Sequence, residues 1–402
     1  MPELHLLSPH GFRASGVYAG IKTKESPDVG MLVSDVPCPA AAVFTTNKVF
    51  AAPVKVGREH IRGGKLHGIV VNAGNANACT GRQGEKDARE MCFLAGLTIG
   101  CEAELFLPCS TGIIGHPLAM EKIERGIAHA GHSLGRDEEH ALRFAEAILT
   151  TDLKRKVATV RFRVGRETVT LAGVCKGSGM IGPRMAPPQA TLLAFLTTDA
   201  AVRPPALRKL LAAASNHSFN AVTVDDHTST NDTAAILASG ASGAKIDSAK
   251  ATASFAAALR DVCQSLAYQI AADGEGATKV VRITVKGAAT EAAARAMARA
   301  IANSPLVKTA MHGNDPNWGR IVSAAGYAGV PFDPDRCALS LQGAMVFRNG
   351  QPVKFDAAGL SAKLKDAEVR VVLDCRSGRN EATCWTCDLS KEYITINAEY
   401  HT

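Results

Sequence analysis

Between Lys176 and Ala190 the chain reads KGSGMIGPRMAPPQA, and an apolar run, Leu192 to Leu196, follows at once. Three glycines and three prolines in fifteen residues cannot form a helix or strand interior. The segment is therefore a loop that delivers the chain into a buried strand. Gly177, Gly179 and Gly182 match the G-x-G-x-x-G spacing of dinucleotide sites. That chemistry needs a helix N-terminus behind the glycines to hold a pyrophosphate. Pro183, Pro187 and Pro188 oppose such a helix. A P-loop fails too, because Lys176 precedes the glycines instead of following them. Another chemistry the loop could serve is nucleophilic. Ala190-Thr191 stands where the strand begins, with Lys176 upstream. A threonine hydroxyl is a weak nucleophile unless a base adjoins it, and one solution is its own free α-amine, which titrates near pH ~8. That amine exists only if the bond before Thr191 is cut. On these residues alone, a threonine that merely begins a strand is the ordinary reading.

The other candidate chemistry is sulfur. Eleven cysteines run from Cys38 to Cys387, and Cys384 with Cys387 makes the one C-x-x-C. A redox pair would open a helix after a strand, whereas this pair is read in an extended stretch, Thr383 to Asn397. A zinc site would need a second ligand pair, and none stands out. The cysteines read as small buried hydrophobes of a reducing compartment, and no metal is expected.

The elements that must position this chemistry alternate between two periods. Residues 119–131 and 138–149 are amphipathic helices, and 204–216 is a helix that starts on Pro204 and Pro205. Phe255, Leu259, Val262, Leu266 and Ile270 fall on one helix face, and an Ala-rich helix runs through 289–302. Residues 157–164 alternate as a half-buried strand. Thr168–Cys175, Val280–Val285, Val369–Asp374 and Tyr393–Ile396 are read as further strands. Helices and strands intermingle throughout, so the class is mixed α and β.

Composition narrows the function. Apolar residues make up 46 % of the 402, enough for a sizeable core. The net charge, 45 − 38 = +7, is scattered without a basic block, and aromatic residues are 5 %. Nucleic acid is therefore not an expected partner. No apolar run approaches a membrane span, and residues 1–16 carry no secretory signal pattern. A cytoplasmic enzyme is the expectation.

Motifs along nearly the whole chain point further. They include GFRASGVYAGIK at 11–22, NAGNANACTG at 72–81, CSTGIIG at 109–115 and TTD at 150–152. KGSGMI and ATLLAFLTTDA flank the loop, and TSTNDT, DGEGATK, GNDPNWGRI and INAEYHT follow. Each is weak alone, but their order and spacing resemble the ornithine acetyltransferase family, glutamate N-acetyltransferases of arginine biosynthesis.

The resemblance implies a precursor that cuts itself at Ala190-Thr191 into fragments 1–190 and 191–402. Thr191 is then the nucleophile that carries an acetyl group from N2-acetylornithine to glutamate. Thr111 and Gly112 supply the oxyanion hole. Substrate contacts fall on Thr150, Lys176, Thr191, Glu275, Asn397 and Thr402. Lys176 suits an α-carboxylate, and Glu275 suits the side-chain cation of ornithine. No metal or nucleotide cofactor is implied. Some members also take acetyl-CoA as donor, and the sequence leaves that open. The implied architecture is a layered sandwich of mixed β-sheets with helices, of N-terminal-nucleophile type, built jointly by both fragments and paired into an α2β2 heterotetramer.

Three departures from the family pattern stand out. The loop before Thr191 is four residues longer, with Ala186–Gln189 as the insertion; a cut after Ala186 fails because Pro187 has no hydroxyl. Asp226 and His227 stand where Gly and Asp are usual, which matters if the backbone there is left-handed; His227 reads as a surface loop residue. Asn317, Trp318 and Arg320 read as a turn that anchors packing. Two other functions stay open: a self-processing aminopeptidase or amidohydrolase in which water takes the acyl group, and an unprocessed binding protein.

Overall fold

The computed structural model describes residues 4–182, 185–186 and 192–399. The first half of the fold contains β1 (Phe12–Val17), β2 (Val29–Thr45), α1 (Ala52–His60), β3 (Lys65–Asn75), α2 (Gly81–Ile99) and β4 (Phe106–Ile113). There follow α3 (Met120–His132), α4 (Glu138–Ala147), β5 (Lys156–Val164), β6 (Glu167–Lys176) and β7 (Met185–Ala186). Then come β8 (Leu193–Thr198), α5 (Pro204–Asn216), β9 (Thr233–Ala238) and α6 (Ala249–Ala272). The strands run in the order β4-β3-β2-β9-β8-β6-β5, with β1 and β7 also paired to β2.

β2 belongs to both ends of this sheet. Its first part pairs with β1 and β3, and Ala40–Phe44 pairs with β9. Between them the register with β3 shifts from Val33 to Cys38, and Asp35 and Val36 stand exposed. Such an irregularity bends a strand and re-aims it. The two halves consequently fold face to face. Phe12, Leu32, Ile69 and Leu107 of one half share a core with Val174, Leu193, Phe195 and Leu237 of the other. On the outer face of the first half, Met31 and Val70 pack with Met91, Ile123 and Ile127 of α2 and α3. On the outer face of the second, Leu171, Leu196 and Ile236 pack with Leu211, Phe255 and Leu266 of α5 and α6. The result is helix, sheet, sheet, helix.

The first four residues of β8, Leu193 to Leu196, are all apolar because both faces are covered there. Leu193 and Phe195 point into the core between the sheets, while Ala194 and Leu196 point to the helices. A strand covered on both faces has no polar side to show. β8 and β9 run parallel to each other, and they lie between β6 and β2, antiparallel to both.

A second layer system follows, with β10 (Val280–Ala288), α7 (Glu291–Asn303), α8 (Pro305–His312), α9 (Trp318–Gly326), β11 (Ala338–Leu341) and β12 (Ala344–Arg348). It closes with β13 (Gln351–Pro352), α10 (Ala357–Lys363), β14 (Glu368–Asp374) and β15 (Asn380–Cys387). The strand order is β13-β12-β11-β14-β10-β15. Val281, Ile283 and Val285 pack there against Met297, Ile301 and Met311. The chain then returns to the sandwich as α11 (Lys391–Glu399).

The five expected helices are present as α3 to α7, and five of the expected strands as β5, β6, β8, β10 and β14. The sixth is corrected: Tyr393–Ile396 is helical, within α11. Its run of β-branched residues, Ile394 to Ile396, gave a strand signal, but the segment lies on the surface with no ladder to join, and strand preference depends on such context. The loop after Lys176 also contains a two-residue strand, Met185–Ala186, paired with Phe44 and Thr45. The GNDPNWGRI turn leads directly into α9, where Trp318 stacks on Phe347 at 5.1 Å between ring centroids.

Candidate active site

Two strand ends meet at the site. β4 ends in Ser110, Thr111 and Gly112, and its pairing with β3 becomes irregular at Gly74 and Asn75. Gly112 has φ 131°, and a Cβ there would collide with the Gly74 carbonyl group. Only glycine combines that backbone with that approach. Thr111 beside it is buried. Asn231 braces this end, its amide donating to the carbonyls of Ser110 at 2.9 Å and Ala76 at 2.5 Å.

The other strand end is that of β6. Lys176 is buried, and its ammonium lies 3.3 Å from the Thr111 hydroxyl. It pairs in register with Leu193, the first residue of β8. Burial pulls the Lys176 ammonium below its ordinary value, and the carboxylates of Asp152, Glu275 and Asp232 act against that. Lys176 and the Thr111-Gly112 end of β4 thus lie side by side.

A buried ion cluster holds the loop that leaves Lys176. The Lys156 ammonium donates to Asp152 and to Asp273, each at 2.6 Å. All three side chains are at most 5 % exposed. Asp152 also accepts the Gly177 N–H at 2.6 Å. Burial opposes its ionisation, but the charges of Lys176 and Lys156 outweigh this and keep its carboxyl below the usual range. For Lys156 the same balance ends in a raised value. The Ser178 hydroxyl donates to the Asp273 carbonyl at 2.6 Å. Asp225 then takes the N–H groups of Met180 and Ile181, both at 2.8 Å. These fixing residues were not singled out from sequence, although Asp152 and Asp273 lie inside the TTD and DGEGATK motifs and Asp152 and Lys156 are four apart.

Glu275 sits in the turn after α6, buried, and its backbone N–H donates to the Ser178 carbonyl at 3.1 Å. A Cβ on Gly179 would run into the Glu275 carboxylate. Asn397 of α11 donates to Glu275 at 2.9 Å, and the Tyr393 hydroxyl donates to Asp225 at 3.3 Å. Tyr393 and Asn397 reach these partners together because residues four apart share a helix face. Thr150 lies half-buried beside Asp152, to which its N–H donates at 3.3 Å. Ala190, Thr191, Thr402 and most of the Ala186–Gln189 insertion lie outside the described residues.

Asp226 has φ 58°, so the family's glycine position is indeed left-handed here. Aspartate tolerates this conformation better than most residues. Its carboxylate pairs with Arg299 at 2.9 Å, while His227 is exposed. Cys384 and Cys387 are buried free thiols on a strand, and burial pushes Cys384 up to about 11. No helix among the described residues is long and apolar enough to cross a membrane.

A family model, described as the ArgJ family, matches residues 13–402. The chain belongs to the ArgJ family. The arginine biosynthesis bifunctional protein ArgJ of Symbiobacterium thermophilum is 47 % identical over 98 % of each chain. The protein of the same name from Thermotoga neapolitana is 45 % identical over 98 % of this chain and 99 % of its own. Among solved structures, ornithine acetyltransferase of Mycobacterium tuberculosis complexed with ornithine is 33 % identical. It covers 46 % of this chain and 97 % of that one, with a TM-score of 0.42. In this ArgJ chain, Lys176, Thr111 and Gly112 are carried by two strand ends, Glu275 by the turn after α6 and Asn397 by the surface helix α11.

Proposed function

We propose that this chain is an acetyltransferase of arginine biosynthesis that activates itself by cutting Ala190-Thr191. The Thr191 hydroxyl attacks the Ala190 carbonyl, the amide becomes an ester, and water hydrolyses it. Fragments 1–190 and 191–402 result, and the second begins with a free α-amine. In the first half-reaction the Thr191 hydroxyl attacks the acetyl carbonyl of N2-acetylornithine. The α-amine takes its proton, ornithine leaves, and acetyl-Thr191 remains. In the second, the amine of glutamate attacks that ester and N-acetylglutamate leaves. Acetyl-CoA in place of acetylornithine as donor would leave the second step unchanged.

The observation that carries this reading is the convergence of Lys176, Thr111 and Gly112 at the start of β8. Thr111 offers a hydroxyl and Gly112 an amide for the oxygen that becomes negative in the tetrahedral intermediate. Lys176 offers charge to an α-carboxylate, and Glu275 with Asn397 offers a partner for the ornithine ammonium. The reading includes an α2β2 heterotetramer acting in the cytoplasm without a metal.

The test is a denaturing gel with N-terminal sequencing and an acetyl label. Two bands are expected, the second starting at Thr191 and carrying acetyl after exposure to N2-acetylornithine alone. Glutamate should discharge it. Thr191→Ala should stay uncut and inactive. An active uncut chain, or a second fragment starting elsewhere, overturns the mechanism; discharge to water rather than glutamate makes it a hydrolase.

A further inference from the structure

Acetyl transfer from acetylornithine to glutamate makes one site meet two side chains of opposite charge. Glu275 with Asn397 answers the ammonium of ornithine. The γ-carboxylate of glutamate needs a cation that is not already engaged. Lys156 is engaged, with two carboxylates at 2.6 Å. Lys176 lies at the reacting centre, beside Thr111.

Lys22 is differently placed. It lines a cavity of about 590 Å³ together with Gly74, Ile113, Thr150 and Asp152. That volume lies in the range of small-molecule sites. Gly74 is the residue packed on Gly112, and Thr150 is an expected substrate contact, so the cavity adjoins the reacting centre. A Cβ on Gly74 would stand 3.4 Å from Lys22 Cγ, which puts the lysine stem over this glycine. The ammonium donates to two backbone carbonyls, Pro27 at 2.7 Å and Glu146 at 3.4 Å. Among the described residues no carboxylate lies within ion-pair distance of it. An ammonium has three donors, so one remains to offer. Lys24, in the same cavity, is exposed.

We infer that Lys22 receives the side-chain carboxylate of the acyl acceptor and thereby sets the preference for an acidic amino acid. The inference rests on the acetyl-transfer reading above. Burial lowers the Lys22 ammonium to about 8, with Asp28, Asp152 and Glu146 opposing the fall and Lys176 adding to it. It is thus charged at neutral pH and loses that charge slightly above.

The test separates the half-reactions. Acetyl-enzyme is formed from N2-acetylornithine and discharged with glutamate or glutamine, using wild type, Lys22→Met and Lys22→Arg. In Lys22→Met the preference for glutamate over glutamine should fall about tenfold to a hundredfold, the range for a lost charged hydrogen bond. The loss should sit in KM for glutamate, and Lys22→Arg should restore most of it. Above pH ~8 the wild type should lose glutamate affinity relative to Lys22→Arg, whose charge persists. An unchanged preference in Lys22→Met, or equal losses with both acceptors, overturns the role of Lys22 while acetyl transfer stands. A wild type that forms no acetyl-enzyme overturns the transfer reading, and this inference with it.

Discussion

The Lys176 ammonium comes within 3.3 Å of the Thr111 hydroxyl, although their strands lie in opposite halves of the folded sheet. The contact exists because β2 bends and lays one half on the other. It places a positive charge beside the residues assigned to oxyanion binding, at the place where β8 begins.

Thr111→Val keeps the shape of the side chain and removes its hydroxyl. Loss of one oxyanion donor should lower kcat about 100- to 1000-fold, or roughly 2.7–4 kcal/mol. Gly112→Ala should do more harm, since its Cβ meets the Gly74 backbone. Single-turnover acetylation of Thr191 measures both; a normal rate in Thr111→Val would remove the hydroxyl from the transition state.

Asp152→Asn should destabilise the protein by about 3–5 kcal/mol, the usual consequence of breaking a buried ion pair from one side. Urea unfolding reads this directly. The Asp152 carboxyl is held below its ordinary value, so its stabilisation is present above the unfolded value, near pH ~3.9, and is lost as pH falls through the lower folded value. The acid limb of the stability profile should therefore be flatter in Asp152→Asn than in wild type. Parallel limbs would show that this carboxyl does not titrate differently on folding.

Gly179→Ala is expected to spare the fold and injure the site. The atoms its Cβ meets first are the end of the Glu275 side chain, which can move, but moving it breaks the Asn397 contact. KM for the cationic donor should rise about tenfold or more, as for a lost charged contact, with Tm nearly unchanged. An unaffected KM would separate Glu275 from donor binding.

Brief thiol alkylation of the native protein should modify Cys79 before the other cysteines, because it is the exposed one. Cys384 and Cys387 should react only on unfolding, burial having raised both thiols. Peptide mapping after alkylation decides; early labelling of Cys384 would revive a redox or metal role for the C-x-x-C.

Amphipathic helices were legible because their periodicity follows from burying one face. β2 was not read from sequence, since VGMLVSDVPCPAAAVFT has buried residues on successive positions and two prolines at its bend. α2 also escaped: its start, GRQGEKDARE, offers little apolar period and two glycines. At the site, Lys176 was singled out in its loop from the sequence, whereas Glu275, Thr111 and Gly112 came only through the family resemblance. The Lys156 cluster was hidden because its members come from separate elements, β5 and the two turns around Asp152 and Asp273, that only the fold brings together.

The parallel pair β8 and β9 is hydrogen-bonded to β6 on one side and to β2 on the other. A cut before Thr191 would assign the inner pair to one product and both flanking strands to the other. Neither product could then leave without opening two ladders at once, and neither alone could present a complete sheet. If the proposed cut is made, the order of events would follow: the sheet closes first, while the chain is continuous, and scission comes after. Such a cut would change the chemistry of one terminus but not the partnership of the strands, and a chain severed before folding would face the assembly of a sheet from the inside out.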